Sequence, residues 1–542
     1  MATRNLHSAA QKHGARPSNQ NEFKRPQKQP YLVHNTIVTY YLLLMFSFFS
    51  LFLTNQYANS RHDKFYLYLI LSGMLIIGAG VAYLFCLFDQ NRVASNLSPL
   101  FKPVGVADGA FLCFVVFAAV SAFSSAYFPD TLIAEIGRNN GLVLIVFYAM
   151  VYFIVSRMYM HKDYVIAVYL IFSCVIALLT VLNFFYIDPL GLLEGYNAKT
   201  AEDFGSTIGN KNTIASYMAM FLPVSVMTLA LSEKLYLRVI AGISIGFAYM
   251  GALCSNSGSV IMGLVVILPV TAIFCAQRYG TLTRYLLGLT ILFASGKVLR
   301  LFSYAVGDVQ KGFEFTQDFL IYNRSGYLPI ALFGIGALIL FLLRSRLAPG
   351  YRPKPVTITL ISLTGAMIAG FLGAILYFSL ADTSTQLGTL EKLLRFNDRW
   401  GTHRGFMWIR AMREYGGFNV WQKLFGSGPD TAYYVFEPYF GELLSRFRNS
   451  STNCAHNEYI NYLVTQGALG LLSYLVLIGS VCVRSLRRAR QNPLMLVFIS
   501  AVICYAVQAA VNIYQPITTP LFFLFLSMAE ALNRQTPIQK TN

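Results

Sequence analysis

Short polar clusters interrupt an otherwise strongly apolar chain, and they hold residue types that bind anions and move protons. Glu135-Ile136-Gly137-Arg138-Asn139-Asn140-Gly141 is one, and Gly205-Ser206-Thr207-Ile208-Gly209-Asn210-Lys211-Asn212 is another. Cys254-Ser255-Asn256-Ser257-Gly258-Ser259 follows, then Asp398-Arg399-Trp400-Gly401-Thr402-His403-Arg404-Gly405. Gly426-Ser427-Gly428-Pro429-Asp430 and His456-Asn457-Glu458 complete the set. An arginine stays charged and offers a planar fork to phosphate. A histidine near its reference pKa of about 6.5 can take up a proton at neutral pH. Plainer readings stand beside these. Arg138 also suits a helix end at lipid headgroups, and Asn210, Lys211 and Asn212 suit a helix cap. Arg399 suits a solvated surface, and residues 255–259 and 426–428 suit tight turns. Arg404 and His456 are the strongest candidates for chemistry.

The elements that must position these clusters are membrane helices. Hydrophobic residues make up 56% of the 542, charged residues only 12%, and the mean hydropathy is +0.52. A soluble domain carries roughly a quarter charged residues, so this composition requires lipid as solvent. A membrane helix needs about 20 mostly apolar residues. Such runs fall near 36–54, 66–88, 107–127, 141–156, 164–186, 212–231, 236–253, 259–275, 285–300, 327–343, 356–380, 460–482, 493–512 and 516–532. The expected fold is therefore all-α and polytopic, with about fourteen transmembrane helices. Residues 1–30 read as a disordered cytoplasmic tail. Residues 31–380 hold about eleven helices, 381–459 form a long extracytoplasmic loop, 460–532 hold the last helices, and 533–542 form a second cytoplasmic tail.

Lys and Arg set the orientation. The N-terminal tail is basic, and so is every second connection after it: Arg92 and Lys102, Arg157 and Lys162, Lys234 and Arg238, Arg278 and Arg284, Arg344 to Lys354, and Arg484 to Arg490. Both termini are expected in the cytoplasm. Every polar cluster above then falls on the outer face, which points to one extracytoplasmic site. The 381–459 loop has apolar-periodic stretches such as 406–412 that suit short helices on the membrane surface. The net charge of +18 is accounted for by cytoplasmic loops facing anionic lipid, so nucleic acid is not an expected partner. The eight cysteines show no metal-ligand spacing and no disulfide framework.

Three stretches resemble the O-antigen ligase and O-unit polymerase superfamily of bacterial membrane glycosyltransferases. They are Phe204 to Pro223 with Gly209-Asn210-Lys211-Asn212; Asn397 to Asp430 with Arg399-Trp400, Arg404-Gly405 and Trp408; and Ala455-His456-Asn457-Glu458-Tyr459 through Gln466-Gly467-Ala468-Leu469-Gly470. Gly137 to Gly141 is similar as well. One departure stands out: many members carry an Arg in the Ser-rich turn before the eighth helix, where this chain reads Ser255-Asn256-Ser257-Gly258-Ser259.

The resemblance implies an enzyme of the inner membrane of a bacterium. Its donor would be a glycan on undecaprenyl pyrophosphate, its acceptor a hydroxyl on a glycan, lipid or protein, and transfer would invert the anomeric carbon. Arg404, with Arg138, Lys211 and Arg399, would then bind the pyrophosphate, and His456 would act as general base. Asn457, Asn210 and Asn212 would bind sugar hydroxyls, and Tyr459 and Trp400 would stack on sugar rings. No cofactor and no metal is expected, since no Asp-x-Asp pair occurs. The competing reading is a transporter or flippase of a lipid-linked glycan. Transporters usually place ionisable residues near the bilayer midplane, whereas Asp108, Lys297 and Glu530 lie near the ends of their runs.

Overall fold

The computed structural model describes residues 32–88, 104–307, 310–346, 354–382, 384–448 and 451–536. The expected N-terminal tail, Arg92, Lys102, Arg352 and residues 537–542 of the expected C-terminal tail lie outside the described residues.

Every expected apolar run is helical. The chain enters through α1, Leu32–Leu44, continued by a π-helical turn at Met45–Phe49. Next come α2 (Ser60–Phe88), α3 (Val106–Phe123), α4 (Leu142–Met158) and α5 (Asp163–Phe184). The middle holds α6 (Lys211–Leu231), α7 (Leu235–Cys254), α8 (Gly258–Cys275) and α9 (Tyr279–Val306). Then follow α10 (Tyr327–Leu342), α11 (Lys354–Leu376), α12 (Glu458–Arg488), α13 (Met495–Ala509) and α14 (Thr519–Gln535). Among the described residues, ten helices are long and apolar enough to cross a membrane: α2, α3 and α5 to α12. Helices α1, α4 and α13 are shorter apolar helices. The chain is an all-α, multi-pass membrane protein.

Burial separates the helices into a hub and a rim. Helix α6 is buried on almost every side and packs against α7, α8, α9 and α13. Helix α14 is buried from Thr519 to Asn533 and packs against α4, α12 and α13. Helices α10 and α11 expose apolar side chains such as Leu328, Leu332, Ile361 and Leu372. Lipid tails are as apolar as those side chains, so such exposure costs little in a bilayer.

The segment between α11 and α12 folds around a small core of its own. Its helices are Glu391–Leu394, Trp400–Gly417, Val420–Phe425, Ala432–Phe436 and Phe440–Phe447. Phe406, Met407, Ala411, Phe436 and Leu443 pack together, and Val464 of α12 joins them. The first turn of Trp400–Gly417 is broken, with left-handed backbone at Gly401, Thr402 and His403. Gly405 permits that turn to close, because a Cβ there would lie 1.9 Å from the Asn397 carbonyl oxygen. Around it, Arg446 pairs with Asp398 at 2.6 Å and with Glu442 at 2.8 Å, and Arg410 pairs with Glu442 at 2.6 Å.

Helix α12 is broken as well, at Gly467 (φ 71°, ψ −177°). A Cβ there would lie 2.2 Å from the Leu424 carbonyl oxygen. The break frees two helix carbonyls, and the loop takes them up. The backbone N–H of Ser427 donates to Val464 O at 3.0 Å, and that of Gly428 to Thr465 O at 2.9 Å. The loop segment 426–428 is thereby fastened to the membrane bundle by main-chain bonds.

At the opposite end of the bundle, charges from four helices interlock. Asp108 of α3 accepts from Arg157 of α4 at 3.2 Å and from Arg534 of α14 at 2.6 Å. Glu530 of α14 accepts from Arg484 of α12 at 2.6 Å.

Candidate active site

The first loop (50–59), the second loop (124–141), the hairpin before α6, the 426–430 turn, the approach to α12 and the approach to α14 meet at one end of the bundle. A two-stranded antiparallel hairpin, β1 (Phe204–Gly205) and β2 (Gly209–Asn210), pairs Phe204 with Asn210 and Gly205 with Gly209. It leads straight into α6, where the Asn210 side chain caps the helix by accepting from Asn212 N at 3.0 Å. Tyr57 of the first loop stacks on Phe204 (4.9 Å between centroids) and donates to Ser206 O at 2.9 Å. Asn512 donates to Asn212 O at 2.8 Å, and Ser257 donates to Asn212 Oδ1 at 2.9 Å.

The Arg138 loop is held from three sides. Arg61 donates to Gly137 O at 2.9 Å, and Asn453 donates to the same oxygen at 3.0 Å. On the third side, Asp430 Oδ2 accepts from Arg138 N at 2.5 Å and from Asn140 N at 3.0 Å. Burial raises the Asp430 carboxyl to about 7, while those two N–H groups and the charges of Arg138 and Arg61 pull the other way.

His456 sits in left-handed backbone, φ 49°, between two anchored neighbours. Ala455 donates its N–H to Asn461 Oδ1 at 3.1 Å and accepts from Trp408 Nε1 at 3.0 Å. Asn457 caps α12 by accepting from Tyr459 N and Ile460 N, both at 3.0 Å. The backbone on either side of His456 is thus fixed by a loop indole and by the start of a membrane helix.

These walls enclose a cavity of about 480 Å³. Arg138, Asn210, Asn212 and His456 line it, together with Tyr57, Arg61, His62, Thr213 and Gln515. The imidazole of His456 is pulled well below its ordinary pKa, first by burial and then by the positive charges of Arg404 and Arg138. It is therefore neutral at physiological pH. Among the described residues, the Nε atoms of Arg138 and Arg404 are buried without hydrogen-bond partners. A buried donor left unmade costs about 1–3 kcal/mol, and more for a charged group. The unmet donor of Arg138, which lines the cavity, is therefore suited to an anionic ligand.

Arg404, Asn457 and the remaining expected site residues do not line this cavity, and Arg404 Nη1 donates to Gly401 O at 2.9 Å. Lys211 pairs with Asp203 at 2.9 Å and lies 4.0 Å from Glu314. Arg399 is exposed on the loop. Trp400 packs against Phe396 and Trp408 and donates to Leu393 O at 2.9 Å. Tyr459 donates to Ala506 O at 2.5 Å from within the helix packing.

Sequence reasoning passed over Arg61, His62, Gln515 and Asp430. A signal existed for the first three. Residues 55–65 and 513–515 fall in outer segments by the same Lys/Arg topology that gathered the other clusters. Asp430 was legible only as part of a turn, because nothing in Gly-Pro-Asp shows that its carboxylate reaches back to residue 138.

Residues 319–475 match the family model described as O-antigen ligase. Over this part of the chain the match supports the resemblance to the O-antigen ligase and polymerase superfamily. No curated protein matches it. The O-antigen ligase match contains Arg404, Asp430, His456 and the break at Gly467. Arg61, Arg138, Asn210 and Asn212 come from outside it, so the candidate site is assembled from the matched region and the helices before it.

Proposed function

We propose that this protein transfers a glycan from undecaprenyl pyrophosphate to an acceptor hydroxyl on the outer face of a bacterial cytoplasmic membrane. The observation that carries the reading is the pairing of an unmet, buried guanidinium donor on Arg138 with a neutral His456 at one cavity, with Arg404 adding its positive charge at the imidazole. The basic connections at the opposite end of the helices support a cytoplasmic placement of that end.

In this mechanism the guanidinium groups of Arg138, Arg404 and Arg61 bind the pyrophosphate. The acceptor oxygen attacks the anomeric carbon from the face opposite the leaving group, so the configuration inverts. His456 takes the hydroxyl proton as the new C–O bond forms. The bond between the anomeric carbon and the phosphate oxygen breaks, and its electron pair leaves on the lipid pyrophosphate. The arginines stabilise that charge. A bound pyrophosphate also offsets the positive field that depresses the imidazole, so His456 becomes the stronger base when donor is present. Among the described residues no three His, Cys, Asp or Glu side chains gather to hold a metal ion. The reaction as written is carried by the protein's own cations. Asn210 and Asn212 contact sugar hydroxyls, and Lys211 acts through the hairpin.

The test is glycan transfer in liposomes, with purified protein, the host's lipid-linked oligosaccharides and a chelator. Wild-type protein is expected to lengthen or move the glycan, and His456→Ala to abolish this while inserting normally. A ladder of lipid-linked products marks a polymerase, and one transfer to an added acceptor marks a ligase. Movement of lipid-linked glycan across the bilayer without transfer would overturn the reading in favour of transport.

A further inference from the structure

A second cavity, of about 220 Å³, lies where the loop stretch 414–438 meets the end of α3. Its lining differs in kind from that of the first. Trp421, Tyr127 and Tyr434 supply aromatic surface, and Glu414, Gln422 and Ser125 supply polar atoms. Neither Lys nor Arg is among its lining residues. The aromatic groups are held in place. Tyr127 and Tyr434 stack at 4.1 Å with 5° between their planes. Trp421 is half exposed, and its Nε1 donates to Ser124 Oγ at 3.1 Å. Glu414 accepts from Tyr439 OH at 2.5 Å through one oxygen.

We infer that this cavity binds a sugar ring of the glycan. Flat aromatic faces suit the C–H face of a pyranose, while a carboxylate, an amide and a hydroxyl suit its O–H groups. The absence of a cation from the lining disfavours a phosphate or an anionic headgroup. The volume lies below the roughly 300–1,000 Å³ of sites for drug-sized ligands, which fits one ring rather than a long segment. The same two chain segments serve both cavities. Residues 124–127 line the second cavity and Arg138 lines the first. Gly426, Ser427 and Tyr434 line the second, and Asp430 between them holds the backbone of Arg138. The assignment of the ring to a transferred glycan rests on the proposed function, while binding itself does not.

The chain has three tryptophans, and Trp400 and Trp408 pack together elsewhere. A Trp400→Phe, Trp408→Phe variant therefore leaves Trp421 as the sole indole reporter. The probe is the host's repeat-unit oligosaccharide, released from its lipid and pyrophosphate. A saturable change in Trp421 emission is expected, matched by saturable heat with the wild-type protein should the reporter variant fold poorly. Trp421→Ala is expected to weaken binding about tenfold, the worth of one aromatic contact. Glu414→Gln should weaken it as well, and His456→Ala should leave it unchanged. In the transfer assay, a raised KM for donor with kcat retained assigns the ring to the donor glycan, and a raised KM for acceptor assigns it to the acceptor. No saturable signal from wild-type protein up to about 10 mM oligosaccharide would overturn the site. Equal binding by Trp421→Ala and Glu414→Gln would do the same, as would a response to glycerol phosphate in place of sugar. Transfer without binding removes the sugar site alone, whereas binding without transfer keeps it and removes the transferase reading.

Discussion

At the scale of single residues, the site depends on how three charged or titratable groups act on one another. Arg138 and Arg404 depress the His456 pKa together with burial. Removing one positive charge should therefore raise it. For Arg138→Ala we expect the acid limb of the kcat/KM profile, which reports the free enzyme, to move to higher pH than in wild type. An unmoved limb in a variant that still transfers would separate Arg138 from the imidazole. Asp430 acts differently, because it touches Arg138 through the backbone. Asp430→Ala removes the acceptor for two N–H groups, each worth about 0.5–1.5 kcal/mol to the neutral carboxyl and about 1.5–3 kcal/mol to the carboxylate. Transfer should fall at least tenfold, with Asp430→Asn recovering much of it because the amide keeps an acceptor oxygen. The sign of the pH effect follows from a carboxyl raised to about 7. Between the ordinary carboxylate range near 4 and about 7, the unfolded chain has released this proton and the folded chain has not. Asp430 thus lowers stability as pH rises through that window and adds no further change above it. Asp430→Asn should flatten that part of the stability–pH curve, as measured by thermal unfolding in detergent.

At the scale of elements, the break in α12 couples the loop to the bundle. Gly467 takes a backbone conformation that is essentially confined to glycine and costs about 1–3 kcal/mol for other residues. A Cβ would also press on the Leu424 carbonyl. Gly467→Ala should therefore lower the melting temperature and shift the 426–428 segment that binds Val464 O and Thr465 O. Loss of transfer is expected even in the fraction that stays folded. A variant with wild-type melting and wild-type rate would contradict this coupling. The elements were far more legible than the site. Runs of about 20 apolar residues announce helices by length and composition, so each expected run holds a helix. The break at Gly467 was not legible, because it is imposed by the approach of Leu424 and Phe425, which are distant in sequence. The same holds within the site. Local clusters such as Gly209-Asn210-Lys211-Asn212 marked the place, but partners across hundreds of residues decided which side chain turns inward. Asn512 holds Asn212 at the cavity, while Lys211 beside it turns away to the nearby Asp203.

At the scale of the whole molecule, the cavity and the interlocked charges sit at opposite ends of one helical bundle. Asp108, Arg157, Arg484, Glu530 and Arg534 join α3, α4, α12 and α14. Breaking such a buried pair by removing one partner typically costs about 3–5 kcal/mol, because it strands the other charge. Asp108→Ala should therefore lower thermal stability in detergent, while the rate per folded molecule stays close to wild type. A large loss of rate at unchanged stability would instead tie this end to the reaction. The central claim rests on the other end, where Arg138 and His456 line one cavity and Arg404 adds its charge at the imidazole. Its most direct test is single-turnover transfer by His456→Ala with the lipid-linked donor already bound. We expect donor affinity close to wild type and a rate at least about 100-fold lower, the usual contribution of a general base. Transfer at the wild-type rate from the bound donor would contradict the account.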